Sequence, residues 1–267
     1  VLNQGIDACV NWNDKVGEDF TYNLGLNITF TKNKLRKTNE LSNIEDYRKS
    51  IGQPTSAIFG WQSQGLFGKD VAIAGHPFQS FGNYQVGDIA YADLNNDGMV
   101  DNNDQTRIGQ SFPKTTLGVD VTLNYKGFGL YILGTATTGV TQMLTSTYYW
   151  NKGLDGYSVL AEDRYHPVNN PTGTQPRLTT TSGVNNYRNS TFWTKNGSFF
   201  RLKNVELSYT LNNNSKKGIG KNYKFFVRGA NLFVLSGIKE LDPEQMLAGI
   251  SNYPVYRTIT GGVSINF

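Results

Sequence analysis

Between residues 20 and 30 apolar and polar side chains alternate without interruption: Phe20, Tyr22, Leu24, Leu26, Ile28 and Phe30 against Thr21, Asn23, Gly25, Asn27 and Thr29. A period of two puts the sets on opposite faces of a strand, one sheltered from water and one in it. The same alternation recurs at Ile6, Ala8, Val10 and Trp12; at Leu117, Val119, Val121, Leu123 and Tyr125; and at Phe128, Leu130, Ile132, Gly134 and Ala136. It returns at Val205, Leu207, Tyr209 and Leu211, at Tyr223, Phe225, Val227 and Gly229, and in the closing run Ile259, Gly261, Val263, Ile265 and Phe267. Seven long strands are therefore expected, near residues 2–12, 20–30, 115–126, 128–139, 199–211, 223–235 and 257–267. Aromatic rings stand at both ends of the apolar face of residues 20–30, where a membrane barrel carries its two girdles. About 9–11 tilted residues are what a strand needs to cross a bilayer. The closing run alone fits the last strand of a soluble β-sandwich equally well.

The connections separate these alternatives. Residues 31–114, 140–198 and 236–256 form long loops, and the connections between them are short; Lys126-Gly127 is a minimal turn. A transmembrane barrel sorts its connections this way, short on the periplasmic side and long outside; a sandwich has no reason to. The expected fold is all-β, an antiparallel transmembrane β-barrel segment with long extracellular loops. Seven strands are an odd count where single-chain bacterial barrels have an even number of about 8 or more. Open strand edges in lipid leave backbone groups unpaired at several kcal/mol each. The expectation is thus the C-terminal part of a larger barrel. Within the first loop, residues 40–50 are expected to form a short helix.

Composition supports a β-rich chain. Among 267 residues (29.7 kDa) there are 29 Gly, 15 Tyr and 15 Phe, only 17% are charged, and mean hydropathy is −0.43. No run approaches the roughly 18 apolar residues of a helical span, so any membrane crossing is by strands. The net charge is +4 with a pI near 9.0, and the clustered basic residues, Lys32, Lys34, Arg36 and Lys37 with Lys216 and Lys217, flank strand ends. They read as a solvated rim, and no nucleic-acid partner is expected. The single Cys9 excludes an internal disulfide. The chain starts at Val1 with no signal peptide, the expectation being a processed chain or a piece of a longer one.

The sharpest chemical motif is a calcium-type loop. Asp93, Asn95 and Asp97 stand at its positions 1, 3 and 5 before Gly98; the Met99 carbonyl, Asp101 and Asp104 fill positions 7, 9 and 12. Calcium is the one cofactor the sequence points to, although Asp104 stands where a bidentate Glu usually closes the loop, and Asp, Asn and Gly also make good turns. Catalytic groupings are poor. His76 and His166, the only histidines, each precede Pro, and the acids Glu162, Asp163, Asp242 and Glu244 lack a distinguishing context. No catalytic residue is assigned. Tyr148, Tyr149, Trp150, Phe192 and Trp193 are candidates for stacking on substrate, with loop self-packing as the competing reading. Two other classes stay open at this point: a soluble calcium-stabilised β-domain that binds carbohydrate, and a carbohydrate-active enzyme.

Five stretches carry a family resemblance: Ile51-Gly52 through Ile58-Phe59-Gly60-Trp61 to Gly65-Leu66-Phe67; Gly87-Asp88-Ile89 through Asp97-Gly98; Arg107-Ile108-Gly109; residues 201–209; and Gly229-Ala230-Asn231-Leu232-Phe233 with Leu241-Asp242-Pro243-Glu244. With them the chain resembles the C-terminal part of SusC/RagA-type TonB-dependent transporters. Departures are Asn96 where the family usually has Gly, and Ala248-Gly249-Ile250 in a variable loop. The resemblance implies a 22-stranded barrel in the outer membrane of a Gram-negative bacterium, plugged by an N-terminal domain. It implies import of oligosaccharides or peptides driven by TonB, under a SusD-like surface lipoprotein. Plug, TonB-contacting segment and signal peptide are expected to lie outside this chain. The terminal Phe267 resembles the outer-membrane assembly signal.

Overall fold

The computed structural model describes residues 1–41, 44–153, 156–179, 185–212, 222–245 and 252–266. Its frame is one sheet of seven strands: β1 (Leu2–Val16), β2 (Phe20–Lys34), β3 (Thr115–Tyr125), β4 (Phe128–Thr138), β5 (Phe199–Asn212), β6 (Asn222–Ser236) and β7 (Thr258–Asn266). They lie side by side in chain order, each antiparallel to the next. Among the described residues no helix is long and apolar enough to cross a membrane, which says nothing of strands. Phe267 and the whole connection between β5 and β6, residues 213–221, lie outside the described residues.

The register turns alternation within each strand into rows across the sheet. One row runs Trp12, Leu24, Val121, Ile132, Val205, Gly229, Ile259, and the next Asp14, Tyr22, Leu123, Leu130, Leu207, Val227, Gly261. At the short-turn end the row is Val16, Phe20, Tyr125, Phe128, Tyr209, Phe225, Val263, five of its seven members aromatic. This face stays open: Ile6 is 69% exposed and Ile259 75%. The opposite face carries Asn23, Asn27, Asp120, Thr122, Asn124, Ser208 and Arg228. There Glu206 accepts from Lys224 Nζ at 2.7 Å and Arg228 Nε at 2.8 Å. A Cβ at Gly25 would sit 2.1 Å from Asp120 Oδ1, so a larger residue there displaces the Asp120 carboxylate.

Two local devices hold the pattern. Lys126 (φ 47°) and Gly127 (φ 87°) both adopt the left-handed region that a two-residue hairpin turn needs. A bulge at Lys203, where the register shifts between Leu202 and Asn204, inverts the phase of β5. It returns Leu202 and Phe200 to the apolar face, opposite Gly134 and Ala136, and turns Arg201 to the polar one.

The buried core lies outside the sheet, in the three long connections. Trp61, Leu66, Phe81, Ile89, Tyr91 and Val100 from the first pack with Leu144, Tyr149, Tyr165 and Trp193 from the second and Ile238 from the third. Short strands knit this loop body: Ala57–Gly60 with Thr106–Gln110, Ser63–Leu66 with Ile89–Tyr91, Phe78–Gln79 with Met99–Val100, and Thr141–Met143 with Thr194–Asn196. The short helix expected at residues 40–50 is a single 3-10 turn, Asp46–Arg48; the carboxylate of Glu40 instead accepts from the Ser50 and Ile51 amides, which keeps the chain extended around that turn.

Candidate functional site

The loop body is held by buried polar groups contributed by distant parts of the chain. Asp88, 1% exposed, receives Arg177 Nε at 2.8 Å and Asn186 Nδ2 at 2.8 Å on Oδ1, and the Gln85 amide at 2.8 Å on Oδ2. Gln79 donates to Asn185 Oδ1 at 2.6 Å and accepts from the Tyr91 amide at 2.7 Å, and Tyr91 Oη donates to the Asn185 carbonyl at 2.8 Å. Trp193 Nε1 closes the network on the Asn186 carbonyl at 2.7 Å. A satisfied buried network of this kind fixes one arrangement, since losing any member strands its partners in a low dielectric. Burial raises the pKa of Tyr91, Tyr149 and Tyr187, helped at Tyr149 by the negative charge of Glu240; Tyr187 is pushed up to about 12.

The third connection is tied to the sheet by charge. Arg201, 3% exposed on the polar face, donates through one nitrogen to both oxygens of Asp242 at 2.6 and 2.7 Å, and Lys203 reaches Glu244 at 3.0 Å. Arg188 behaves differently. Its guanidinium lies 3.8 Å from the Phe81 ring centre and 5.3 Å from that of Trp61, and its buried Nε has no hydrogen-bond partner among the described residues. Burial lowers its pKa, and the aromatic faces supply the compensating attraction.

The aromatic candidates are gathered, though mainly onto one another. Trp193 (2% exposed) and Tyr149 (4%) are inside the loop core, and Tyr148, Trp150 and Phe192 pack against it half-buried. Phe192 meets Trp193 edge-on at 4.9 Å, Tyr148 meets Tyr149 edge-on at 5.2 Å, and Trp150 tilts over Tyr187 at 5.7 Å. Self-packing occupies Trp193 and Tyr149 fully; only the other three keep open surface.

In the calcium-type loop the oxygens fold the loop itself. Asp93 accepts from the Asn96 amide at 2.7 Å and the Gly98 amide at 2.9 Å, Asn95 from Asp97 at 3.1 Å, Asp97 from Met99 at 2.8 Å, and Asp101 from Asn103 at 2.6 Å. Asn96 takes φ 59°, a conformation Asn tolerates in place of Gly. Asp104 is fully buried, with its carboxylate on the amides of Leu94 (2.7 Å) and Asp101 (2.8 Å). Among the described residues no three His, Cys, Asp or Glu side chains are gathered as metal ligands would be. The loop is a self-closed turn in which Asp93, Asn95 and Asp97 accept from its own amides and the closing acid, Asp104, is buried.

Of the remaining candidates, the two histidines, Asp163, Asp242 and Glu244 have structural partners. His166 Nδ1 accepts from the Asn169 amide at 3.0 Å, and His76 stands edge-on to Phe67 at 4.8 Å. Asp163 accepts from the Thr174 amide at 3.2 Å, while Asp242 and Glu244 serve Arg201 and Lys203. Sequence reasoning missed Gln79, Arg177, Asn185, Asn186 and Arg188, whose residue types mark nothing in isolation. Arg201, Asp242 and Glu244 stood in the resembling stretches without a sign that they pair.

No family model matches the chain. Curated proteins and solved structures do. TonB-dependent receptor P26 of Formosa agariphila is 32% identical over 198 residues, 68% of this chain and 20% of that protein. TonB-dependent receptor SusC of Bacteroides thetaiotaomicron is 25% identical over 278 residues, covering 99% of this chain and 26% of the receptor. These matches support a fragment of a SusC-like TonB-dependent receptor. It spans about a fifth to a quarter of the length of those relatives. In fold it superposes on the RagAB peptide importer in its open-open state with a TM-score of 0.71 at 17% identity, over 99% of this chain and 28% of that one. The seven strands are thus a partial barrel of the TonB-dependent type. These SusC-like relatives are named as receptors and importers rather than enzymes.

Proposed function

We propose that the chain supplies part of the wall and the outer loop body of an outer-membrane transporter that imports oligosaccharides or peptides. The observation that carries this is the apolar face, continuous across seven strands and ending in an aromatic row. From Phe20 to Phe30 is about 33 Å along a strand, and at the usual barrel tilt this spans a band of about 25 Å, the height of an outer-membrane apolar belt. The resemblance to SusC-like receptors and to the RagAB importer supports the transport reading. In it, TonB supplies energy through a part of the protein outside this chain, and a SusD-like lipoprotein meets the loop body. Tyr148, Trp150 and Phe192, half-buried with open surface, are our choice of substrate-facing rings. The test is uptake by cells carrying the full-length receptor with its lipoprotein, against a panel of labelled oligosaccharides and peptides. TonB-dependent uptake of one class is expected; uptake of neither would contradict the reading.

Calcium is a proposal for Asp93, Asn95 and Asp97, whose side-chain oxygens already accept from the loop's own amides and have further lone pairs an ion could use. The amides already close the turn, so an ion would add rigidity to a formed loop. Calorimetric titration of calcium into metal-stripped full-length protein is expected to give saturable heat that disappears in Asp97→Ala; no heat in the unaltered protein would remove calcium from the account.

A further inference from the structure

At the long-loop end of the central strands the polar face of the sheet meets the loop body in a groove. The Lys114 amide donates to the Thr138 carbonyl at 2.9 Å and the Lys114 carbonyl accepts from the Thr31 amide at 2.8 Å, so pairing with both neighbouring strands runs one residue beyond β3. Counting in twos, Lys114 joins Thr116, Gly118 and Asp120 on the polar face. Arg107 and Gln110 of the first connection, Gly139 after β4, and Thr141 and Lys195 of the second connection line a groove of about 430 Å³ with Lys114. The groove lies in the middle of the chain, at strands that are paired on both sides. Arg107, Lys114 and Lys195 are exposed, and among the described residues no acidic side chain lines the groove and none of the three has an ion pair. Glu240 feels the charge of Lys195, but its carboxylate accepts from Tyr149 Oη at 3.4 Å and the Lys239 amide at 3.2 Å.

The groove is built as well as charged. Gln110, 7% exposed, donates its amide nitrogen to the carbonyls of Phe112 at 3.0 Å and Gly139 at 2.8 Å, which leaves its oxygen to accept from Arg107 Nη2 at 3.0 Å. Arg107 Nη1 donates to Gln53 Oε1 at 2.9 Å. Both acceptors are neutral, so they fix the guanidinium without cancelling its charge, and each terminal nitrogen keeps one further N–H. Hydration alone requires no such clamp. A concave surface carrying one sign of charge concentrates its field, and a held guanidinium with two lysines in the same groove suits a carboxylate. We infer that this groove binds a carboxylate of the imported substrate at the lumenal mouth of the wall, and hence that the substrate is acidic. A carboxylate is the acidic group that oligosaccharides and peptides can both carry. The inference rests on the import reading above.

The test is calorimetric binding to the full-length receptor, purified with its lipoprotein, of two matched pairs of probes. One pair is an oligouronate and its carboxyl-reduced form; the other is a glutamate-rich peptide and its glutamine counterpart. The acidic member of one pair is expected to bind about tenfold more tightly than its neutral partner, and the pair that responds tells sugar from peptide. The preference should shrink toward parity in K114Q/K195Q and as salt is raised toward 1 M. Equal affinity within both pairs, binding of neither pair, or a preference that survives the double variant or high salt would overturn the groove. Release of the lipoprotein by K114Q/K195Q with the preference intact would assign the cations to the partner and overturn it equally. Should the double variant fail to assemble, the matched pairs and the salt series decide on the unaltered receptor. Absence of TonB-dependent uptake for every oligosaccharide and peptide would contradict the import reading itself, whereas uptake with no preference for acidic substrates contradicts only the groove.

Discussion

Asp88 shows what single side chains do in this molecule. Fully enclosed, it binds Arg177 from the second long connection and Asn186 beside it, so one carboxylate joins segments about ninety residues apart. Asp88→Ala would strand a half-buried guanidinium and an amide, at a cost of about 3 kcal/mol. Faster hydrogen exchange at the Phe67 and Ile89 amides, with exchange in β3 and β4 unchanged, is the expected result. The tyrosines give a pH signature. Tyr187 in the fold ionises near 12 against an ordinary 10.0, chiefly because burial disfavours the phenolate, with the charges of Tyr157 and Asp88 adding to it. The folded state therefore holds this proton more tightly than the unfolded one; the stability is intact below about pH 10 and drains as pH rises toward 12. Absorbance titration of tyrosinate should show a late-ionising group, and tryptophan fluorescence should report the loop body opening over that window. Trp193 and Tyr149 explain why site residues were hard to read from sequence: a ring that stacks on a sugar and a ring that packs in a core are the same residue in the same polar surroundings, and only the fold says which neighbours it has.

The long strands were legible because each must satisfy two solvents at once, and period two is the only pattern that does so. Their ends were not. β1 runs to Val16 and β2 to Lys34, several residues beyond the expected limits, because backbone pairing continues where the apolar alternation stops: β1 passes through Asp14 to Val16, and β2 runs past Phe30 into Lys32 and Lys34. The knitting strands of the loop body are two to five residues long, too short to show a period. The β5 bulge shows how an element can be read correctly and still be misphased: alternation counted back from Val205 would place Arg201 toward lipid, and only the shifted register brings it to Asp242 and Glu244. Arg201→Gln should therefore free the third connection. Limited proteolysis is expected to cut near residues 237–245 several-fold faster, with the barrel itself resistant; an unchanged cleavage rate would mean that Ile238 in the loop core holds the connection alone.

Taken as a whole the molecule divides its two jobs between two bodies. The sheet carries almost no buried core of its own, and its apolar rows are exposed, whereas the three connections bury theirs against one another. A soluble protein would not leave a face this large uncovered, and an isolated sheet with open outer strands β1 and β7 has backbone groups to pair. Both features would resolve in a sheet that continued into a barrel standing in lipid, which is the reading proposed above for this chain, a match to about a quarter of its SusC-like relatives. The central claim is that odd positions of β3 face lipid and even ones the lumen. Single cysteines introduced at Gly118, Val119, Asp120, Val121, Thr122 and Leu123, in full-length receptor with Cys9→Ser and reconstituted in bilayers, test it directly. Reaction with a water-soluble thiol reagent should alternate, high at 118, 120 and 122 and low at 119, 121 and 123, with lipid-phase quenching in the opposite phase. Uniform labelling of both sets without lipid-phase quenching would contradict the account.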